Sequence, residues 1–310
     1  AHAAGTIAGQ GIQIDMVGEV RDLFRRNDLD FDLRARSDSL NDLTATLGQS
    51  PLVEGTADMT AHLVGRLRGE LGLTDVAIEL QTTAGLAKAK GVVRGLGTAA
   101  PSENLGVELQ LSFEILAEDL KAFAVVVDHQ MPIDGTGTAE GQLIRSGDHY
   151  RVEDLRFTAS APELSLKASG TVDALGDEPR YKIQFEAHTE HLHDLLVAFD
   201  HEMPIDGTGT AEGMLIRSGD HYRVEDLRLT ASAPELSLKA TGTVDALGDE
   251  PSFKMHFEAN TEYLHDLLVA FDHEMPIDGT GTAEGLLIRS GDRYRVEDLH
   301  LTASAPELSL

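Results

Sequence analysis

The residues that most suggest chemistry form a glycine-rich string at Gly207, Gly-Thr-Gly-Thr-Ala-Glu-Gly, with a glycine spacing close to that of a dinucleotide-binding loop. Such a loop needs a strand before it and a helix after it. Here the turn residues Met203-Pro204 precede the string and the apolar run Met214-Leu215-Ile216 follows it. The string also occurs three times. It therefore predicts a strand with a small, closely packed face and no nucleotide site.

A second chemical possibility is a histidine cluster over one short stretch, formed by His188, His191, His193 and His201. Imidazoles at short spacing are common zinc ligands. In the next copy of this stretch, however, His188 is replaced by Asn260 and His191 by Tyr263. His149 and His221 likewise correspond to Arg293. We predict solvated surface histidines and no metal site.

Acidic turns offer oxygen ligands for calcium at Asp134-Gly135, Gly147-Asp148 and Gly176-Asp177-Glu178. None matches an EF-hand loop or the calcium-binding nonapeptide, and the same residues are ordinary in polar turns. Weak peripheral calcium binding stays open. No Ser-His-Asp set or isolated carboxylate pair stands out among the many acidic residues. We therefore predict no catalytic residue, no cofactor and no enzyme activity.

A long tandem repeat accounts for the recurring string. The block Asp128–Phe199 returns almost unchanged as Asp200–Phe271 and begins again at Asp272, which sets a period of 72 residues. Repeat proteins stack one unit on the next, and their function usually lies in the continuous surface that results. The predicted units are the end of a divergent unit (1–50), a divergent unit (51–127), two close copies (128–199 and 200–271) and the start of a truncated unit (272–310).

The second close copy predicts four strands and one short helix. Ser218-Gly219-Asp220 is a hairpin signal, and the three-residue step from Val224 to Leu227 predicts a bulge near Glu225-Asp226. A helix is predicted at 264–271 from its apolar spacing, with Thr261 as N-cap. Because the connections are short, the strands should form an antiparallel meander. Alternation of apolar and polar residues places the strands at 207–217, 222–233, 236–244 and 253–259.

The opening half fits the same pattern in divergent form. Four glycines mark the third strand of each unit at spacings of 73, 79 and 72 residues: Gly18, Gly91, Gly170 and Gly242. Helices are predicted at 39–43 and 119–123. Since the chain begins without Met and stops at Leu310 in the middle of a predicted strand, we expect it to be a fragment of a longer array.

Composition narrows the classes of function. The formal net charge is −28, and the chain has neither Cys nor Trp. A basic stripe, expected of a nucleic-acid-binding protein, is absent, and the charge gives no attraction to anionic membrane surfaces. Disulfides and thiolate metal sites are excluded. No signal peptide or transmembrane run is present in this stretch.

One face of the predicted strands stays apolar from copy to copy. Phe157 is replaced by Leu229, Tyr181 by Phe253 and Ile183 by Met255, whereas neighbouring polar positions vary freely. An ordinary core, closed over by a helix or a second sheet, would explain this pattern. Yet one short helix has to cover four strands in each unit. A long sheet folded lengthwise would leave an apolar channel, and a large exposed apolar strip usually marks a binding surface.

The order of these elements resembles the repeat region of the AsmA-like family of bridge-like lipid transfer proteins. The residues that carry the resemblance are Leu164–Leu175, Leu192–Leu196, the string at Gly207 and Val224–Leu229. The resemblance implies a mainly β fold, an elongated antiparallel sheet curled into an open, taco-like groove. It also implies a Gram-negative periplasmic location, an inner-membrane anchor outside this fragment, and transport of phospholipids toward the outer membrane.

We therefore predict a passive lipid conduit in which phospholipid acyl chains slide along the apolar face without a covalent step. The alternative is a secreted or surface-anchored acidic stalk or adhesin, a structural spacer with a filled core and calcium-dependent rigidity. The predicted groove positions are Leu155, Phe157, Leu164, Leu166, Tyr181, Ile183, Phe185, Leu227, Leu229, Leu236, Leu238, Phe253, Met255 and Phe257.

Overall fold

The computed structural model describes residues 2–9, 11–21, 28–42, 54–66, 69–96, 107–122, 134–147, 149–173, 179–198, 206–245, 252–265, 269 and 279–305. The described strands belong to one antiparallel sheet that is not closed on itself, and the helices are short. The predicted mainly β class is confirmed. The chain forms two compact units, Ala1–Phe157 with Thr171–Gly176 and Thr158–Gly170 with Asp177–Leu310.

The first unit is a meander in which consecutive strands pair antiparallel. Its small core contains Ala61, Val76 and Leu111. The first strand was not predicted, because all eight of its residues are exposed and no alternation marks it. The strands are β1 (His2–Gly9), β2 (Ile12–Arg21), β3 (Asp28–Ser37), β4 (Gly55–Arg66), β5 (Leu71–Thr82), β6 (Gly85–Leu96), β7 (Glu108–Ala117), β8 (Thr136–Ser146) and β9 (His149–Ser160, to residue 157 in this unit).

The second unit repeats the same meander. Its core contains Val224, Leu227, Ala240 and Met255. The four strands predicted for the second copy are all present, within three residues at each end. The elements are β10 (Ser165–Asp173, to residue 170 in this unit), β11 (Arg180–Thr189), α1 (Leu192–Ala198), β12 (Thr208–Ser218), β13 (His221–Ser232), β14 (Ser237–Asp245), β15 (Ser252–Thr261), β16 (Thr280–Ser290) and β17 (Arg293–Ser304).

The predicted helices fall partly on described residues. Positions 40–42, 120–122 and 264–265 are helical, and the rest of 39–43, 119–123 and 264–271 lies largely outside the described residues. The N-cap role of Thr261 stays a prediction: its hydroxyl accepts a hydrogen bond from the amide of Tyr263 at 3.1 Å, but Thr261 ends β15 and the described helical positions begin at residue 264.

The predicted bulge is present and keeps the apolar residues on one face. The register between β13 and β14 shifts between Val224 and Leu227, and Asp226 has a φ of 50°. Asp75, Asp154 and Asp298 have the same left-handed conformation, with φ of 51°, 50° and 50°. Asp tolerates this region better than a β-branched residue does. The extra residue returns Leu227 to the face of Val224, because side chains in a strand alternate with a period of two.

The glycines that mark the third strands are required by a close approach of neighbouring strands. A β-carbon added at Gly242 would lie 2.0 Å from the carbonyl oxygen of Lys254, and at Gly91 it would lie 1.9 Å from that of Gln110. Gly18 and Gly170 have the same contact at 2.1 Å and 2.0 Å. Backbone atoms cannot move aside as a flexible side chain can, so these positions exclude any side chain.

We predict that Gly242→Ala destabilises the protein by about 1–3 kcal/mol, although alanine is otherwise favoured over glycine in a strand. The measurement is the urea midpoint of the circular dichroism signal. The control is Gly5→Ala in β1, where an added β-carbon meets nothing within 4 Å. This control should change stability by less than about 0.5 kcal/mol. Equal effects of the two substitutions would contradict the close-approach explanation.

The polar face of the first unit is held by charged pairs across strands. His62 Nδ1 lies 2.9 Å from an oxygen of Asp32, and its Nε2 lies 3.2 Å from an oxygen of Asp30. The hydrogen bond that the imidazole donates to Asp32 raises the pKa of His62; burial opposes this effect, and the charges of Asp30 and Asp32 add to it. The protonated imidazole therefore links β3 to β4.

We predict that His62 stabilises the fold at acidic pH. The pKa of His62 is higher in the folded protein than in the unfolded chain. Its contribution to the free energy of unfolding is therefore complete below the unfolded-state pKa of about 6.5, and it is lost as the pH rises through the folded-state pKa. The urea midpoint of His62→Gln should therefore fall below that of the unchanged protein near pH 6, and the difference should shrink at higher pH. His149→Gln, at an exposed position of β9, is the control. A difference that stays constant with pH would refute the prediction.

Candidate functional site

The apolar face of the second unit is continuous across its strands. Directly opposed residues share a face, and one row of them runs through Ala187, Ala211, Leu229, Ala240 and Phe257. Strands in the described chain pack chiefly against their sequence neighbours, and no large described side chain is fully buried. Within the unit, the described residues place no second sheet on this face.

The predicted groove residues are buried or half-buried, and they lie at alternating positions of the strands except for Leu164 and Leu236, which directly precede β10 and β14. Six of them, Phe185, Leu227, Leu229, Phe253, Met255 and Phe257, pack in one cluster of the second unit. Ile183 pairs with Leu215 next to this cluster. Leu166 is half-buried on β10, whereas Leu155 and Phe157 belong to the first unit. Whether these residues contact lipid stays a prediction.

An open apolar recess lies between α1 and this face. Its volume is about 500 Å³, and its exposed surface is almost entirely apolar. This volume is within the usual range for small-molecule sites. Four predicted groove residues line it, together with two helix leucines and small residues of the strands: Leu164, Leu229, Leu236, Leu238, Leu192, Leu195, Ala187, Gly209, Ala211, Ala231 and Ala233.

Two hydrogen bonds fix the start of α1 above the recess. The hydroxyl of Thr189, which is buried, accepts a hydrogen bond from the amide of His191 at 3.0 Å. The amide of Leu192 donates to the carbonyl oxygen of Gly207 at 2.8 Å. The first turn of the helix is thus attached to β11 and to the residue that precedes β12, and Leu192 and Leu195 line the recess.

The recess recurs one repeat later. A second apolar recess of about 350 Å³ is lined by Ala259, Leu264, Ala283 and Leu301, which are the 72-residue equivalents of Ala187, Leu192, Ala211 and Leu229. Leu236 lines both recesses and separates them. The amide of Leu264 donates to Gly279, as that of Leu192 does to Gly207. The apolar face therefore carries equivalent neighbouring recesses.

At the other end of the strands, the two close copies and the truncated unit each place an arginine on the apolar face. These turn arginines are Arg145, Arg217 and Arg289, each directly before a hairpin turn. The guanidinium of Arg217 lies over the ring of Tyr222 at 4.5 Å, and its Nε donates to the carbonyl oxygen of Gly219 at 2.8 Å. Arg145 and Arg289 make the same contacts with Tyr150 and Tyr294.

Sequence reasoning missed the turn arginines. The available signal was their position, because Arg217 continues the alternation of Gly209, Ala211, Gly213 and Leu215 and so falls on the apolar face. In the divergent unit the same position is Gly65, where an added β-carbon would lie 2.2 Å from the carbonyl oxygen of Glu70. The divergent unit therefore cannot carry an arginine at this position.

Tyr181 is the predicted groove residue closest to this end. It pairs directly with Arg217, and its ring lies edge-on to Tyr222 at 6.5 Å. Burial raises the pKa of Tyr181, and Arg217 only partly offsets the effect. The phenol therefore stays protonated at neutral pH and can donate a hydrogen bond. Phe253 occupies the equivalent position beside Arg289 and Tyr294.

Other kinds of site find little support in the described residues. No group of three His, Asp or Glu side chains in the described ranges is placed to hold a metal ion. None of the described helices is long and apolar enough to cross a membrane. Two further recesses, of about 440 and 600 Å³, lie in the first unit and are lined in part by charged residues of its polar face. They include the ion pair between Arg156 and Glu140 and the pair between His62 and Asp32.

Comparison with known proteins returned no matching family model, no matching curated protein and no matching solved structure.

Proposed function

We propose that this chain is a non-enzymatic segment of a lipid transport protein whose apolar face carries phospholipid acyl chains. The observation that supports this proposal is the apolar recess beneath α1, which recurs one repeat later on a face that the described residues leave without a second layer. A structural spacer needs a filled core and gains nothing from a recurring open recess.

Burial of hydrocarbon supplies the binding energy. Each methylene that leaves water for an apolar surface contributes about 0.8 kcal/mol. A segment of six methylenes would therefore gain about 5 kcal/mol on entering one recess. Because neighbouring recesses have nearly the same lining, an acyl chain has similar energies in both. Lipids can then move between them without any covalent step.

The resemblance to the AsmA-like family extends the proposal to the whole protein. On that basis the segment lies in the periplasm of a Gram-negative cell, in a protein anchored in the inner membrane by a part outside this stretch. It conducts phospholipids between the inner and outer membranes and so contributes to outer-membrane biogenesis. The acidic surface, with a net charge of −28, keeps such an open sheet soluble.

We predict that the purified chain retains phospholipid and that Leu166→Glu/Leu238→Glu removes it. A carboxylate on this face must either stay charged beside hydrocarbon or take up a proton, and each costs several kcal/mol. Lipid per chain, measured by extraction and mass spectrometry, should therefore fall at least about tenfold.

The matched control is Ser169→Glu/Thr241→Glu, which adds the same charges to β10 and β14 at exposed positions of the opposite face. It should retain lipid. A folded, monodisperse and lipid-free unchanged protein would contradict the proposal and favour the acidic stalk. Equal lipid loss in both variants would show that charge alone, and not the apolar face, is responsible.

A further inference from the structure

Within the residues that the structure describes, the turn arginines form no ion pair, unlike the other arginines around them. Arg223 pairs with Asp245 and Glu225, and Arg228 pairs with Glu212, on the polar face. In the described part of the chain, by contrast, no carboxylate lies within ion-pair distance of Arg217 or Arg289. In a protein with 53 acidic residues and 25 basic ones, guanidinium groups on an apolar face with no carboxylate among their described neighbours call for an explanation.

The geometry of these side chains suits an anion. The Nε of Arg217 is occupied by the carbonyl of Gly219, and the plane of the guanidinium is fixed over Tyr222. This arrangement orients the group in advance, so little side-chain entropy is lost when its terminal nitrogens bind a ligand. Guanidinium groups bind phosphate oxygens through paired, charge-assisted hydrogen bonds. The phenol oxygen of Tyr181 accepts a hydrogen bond from Arg217, and its own O–H remains as a further donor beside the guanidinium.

The distance from the arginine to the recess matches the length of one phospholipid. Strand β12 carries Gly209 and Ala211, which line the α1 recess, and Arg217 on the same face. Six residues separate Ala211 from Arg217, which is about 20 Å at about 3.4 Å per residue. Half of a bilayer, from head group to chain end, is about 20–22 Å. Strand β16 repeats the arrangement with Ala283 and Arg289.

We propose that Arg217 and Arg289 each bind the phosphate of a phospholipid head group, while the acyl chains lie along the strand and end in the recess near α1. The proposal rests on the proposed function and specifies its substrate. It assigns one lipid to each 72-residue repeat, with the head group at the hairpin turn. The turn arginines also counteract the repulsion that the acidic chain would otherwise exert on a lipid phosphate.

The test compares two lipids with the same acyl chains, dioleoylphosphatidylglycerol and dioleoylglycerol, which lacks the phosphate. Affinities are measured in detergent micelles with the purified chain. We expect the unchanged protein to bind phosphatidylglycerol at least about tenfold more tightly. Arg217→Gln/Arg289→Gln should remove this preference and leave the binding of dioleoylglycerol unchanged.

The matched control is Arg223→Gln/Arg295→Gln, which removes the same charge from the same end of the strands but on the polar face, where both arginines pair with acidic residues. It should keep the preference. A second measurement uses only the unchanged protein and so does not depend on whether a variant folds. Added salt should weaken the binding of phosphatidylglycerol and not that of dioleoylglycerol.

The outcomes separate the two proposals. If both lipids bind equally and the arginine substitutions change nothing, the head-group site is refuted while the conduit stands. If neither lipid binds, the proposed function fails. If inorganic phosphate alone binds as tightly as phosphatidylglycerol, the site takes free phosphate and its assignment to lipid is overturned.

Discussion

The arrangement of this sheet depends on one backbone constraint, the accommodation of a single extra residue at Asp226 and its equivalents. Val224 and Leu227 are three residues apart, so a regular strand would place them on opposite faces. With Asp226 in the left-handed conformation, the strand carries the extra residue and both side chains lie in the same cluster. Residues beyond the bulge, such as Leu229, then line the recess. Without the bulge, the second half of β13 would present its polar residues to the apolar face.

The strands could be predicted from the sequence because the patterns that mark them are local and recur in each repeat. Alternation located β12 to β15, Ser218-Gly219-Asp220 located the hairpin, and the step to Leu227 located the bulge. The strand β1 gave no signal, since it has no alternation and no buried residue. The recess could not be derived, because it depends on where α1 lies above β12. That position is fixed by a hydrogen bond between the amide of Leu192 and the carbonyl of Gly207, which no residue type encodes.

Arginines occur on both faces of the sheet, but their described partners differ between the two. On the polar face, arginines such as Arg228 neutralise acidic neighbours across the strands, and exposed pairs of this kind contribute little energy individually. On the apolar face, Arg217 is attached to its own turn and to an aromatic ring. The same residue type therefore has two environments within a dozen residues. The second is the costlier one, because a guanidinium beside hydrocarbon loses hydration and has no counterion among the residues that the structure describes.

On the proposed function, repetition also determines what kind of transport the face would support. Neighbouring recesses have equivalent linings and share Leu236 as their boundary, so the free energy of an acyl chain changes little from one to the next. Equal affinities give no net direction, because a ligand shifts a population only through a difference in affinity. Direction must then come from a difference in lipid supply between the two ends of the array. Two events set the barrier to each step. The acyl chain must pass Leu236, and the head group must move from one turn arginine to the next, about four strands or roughly 19 Å away. A conduit built from identical repeats is therefore a passive one, and its rate depends on the boundary residues more than on the depth of the recesses.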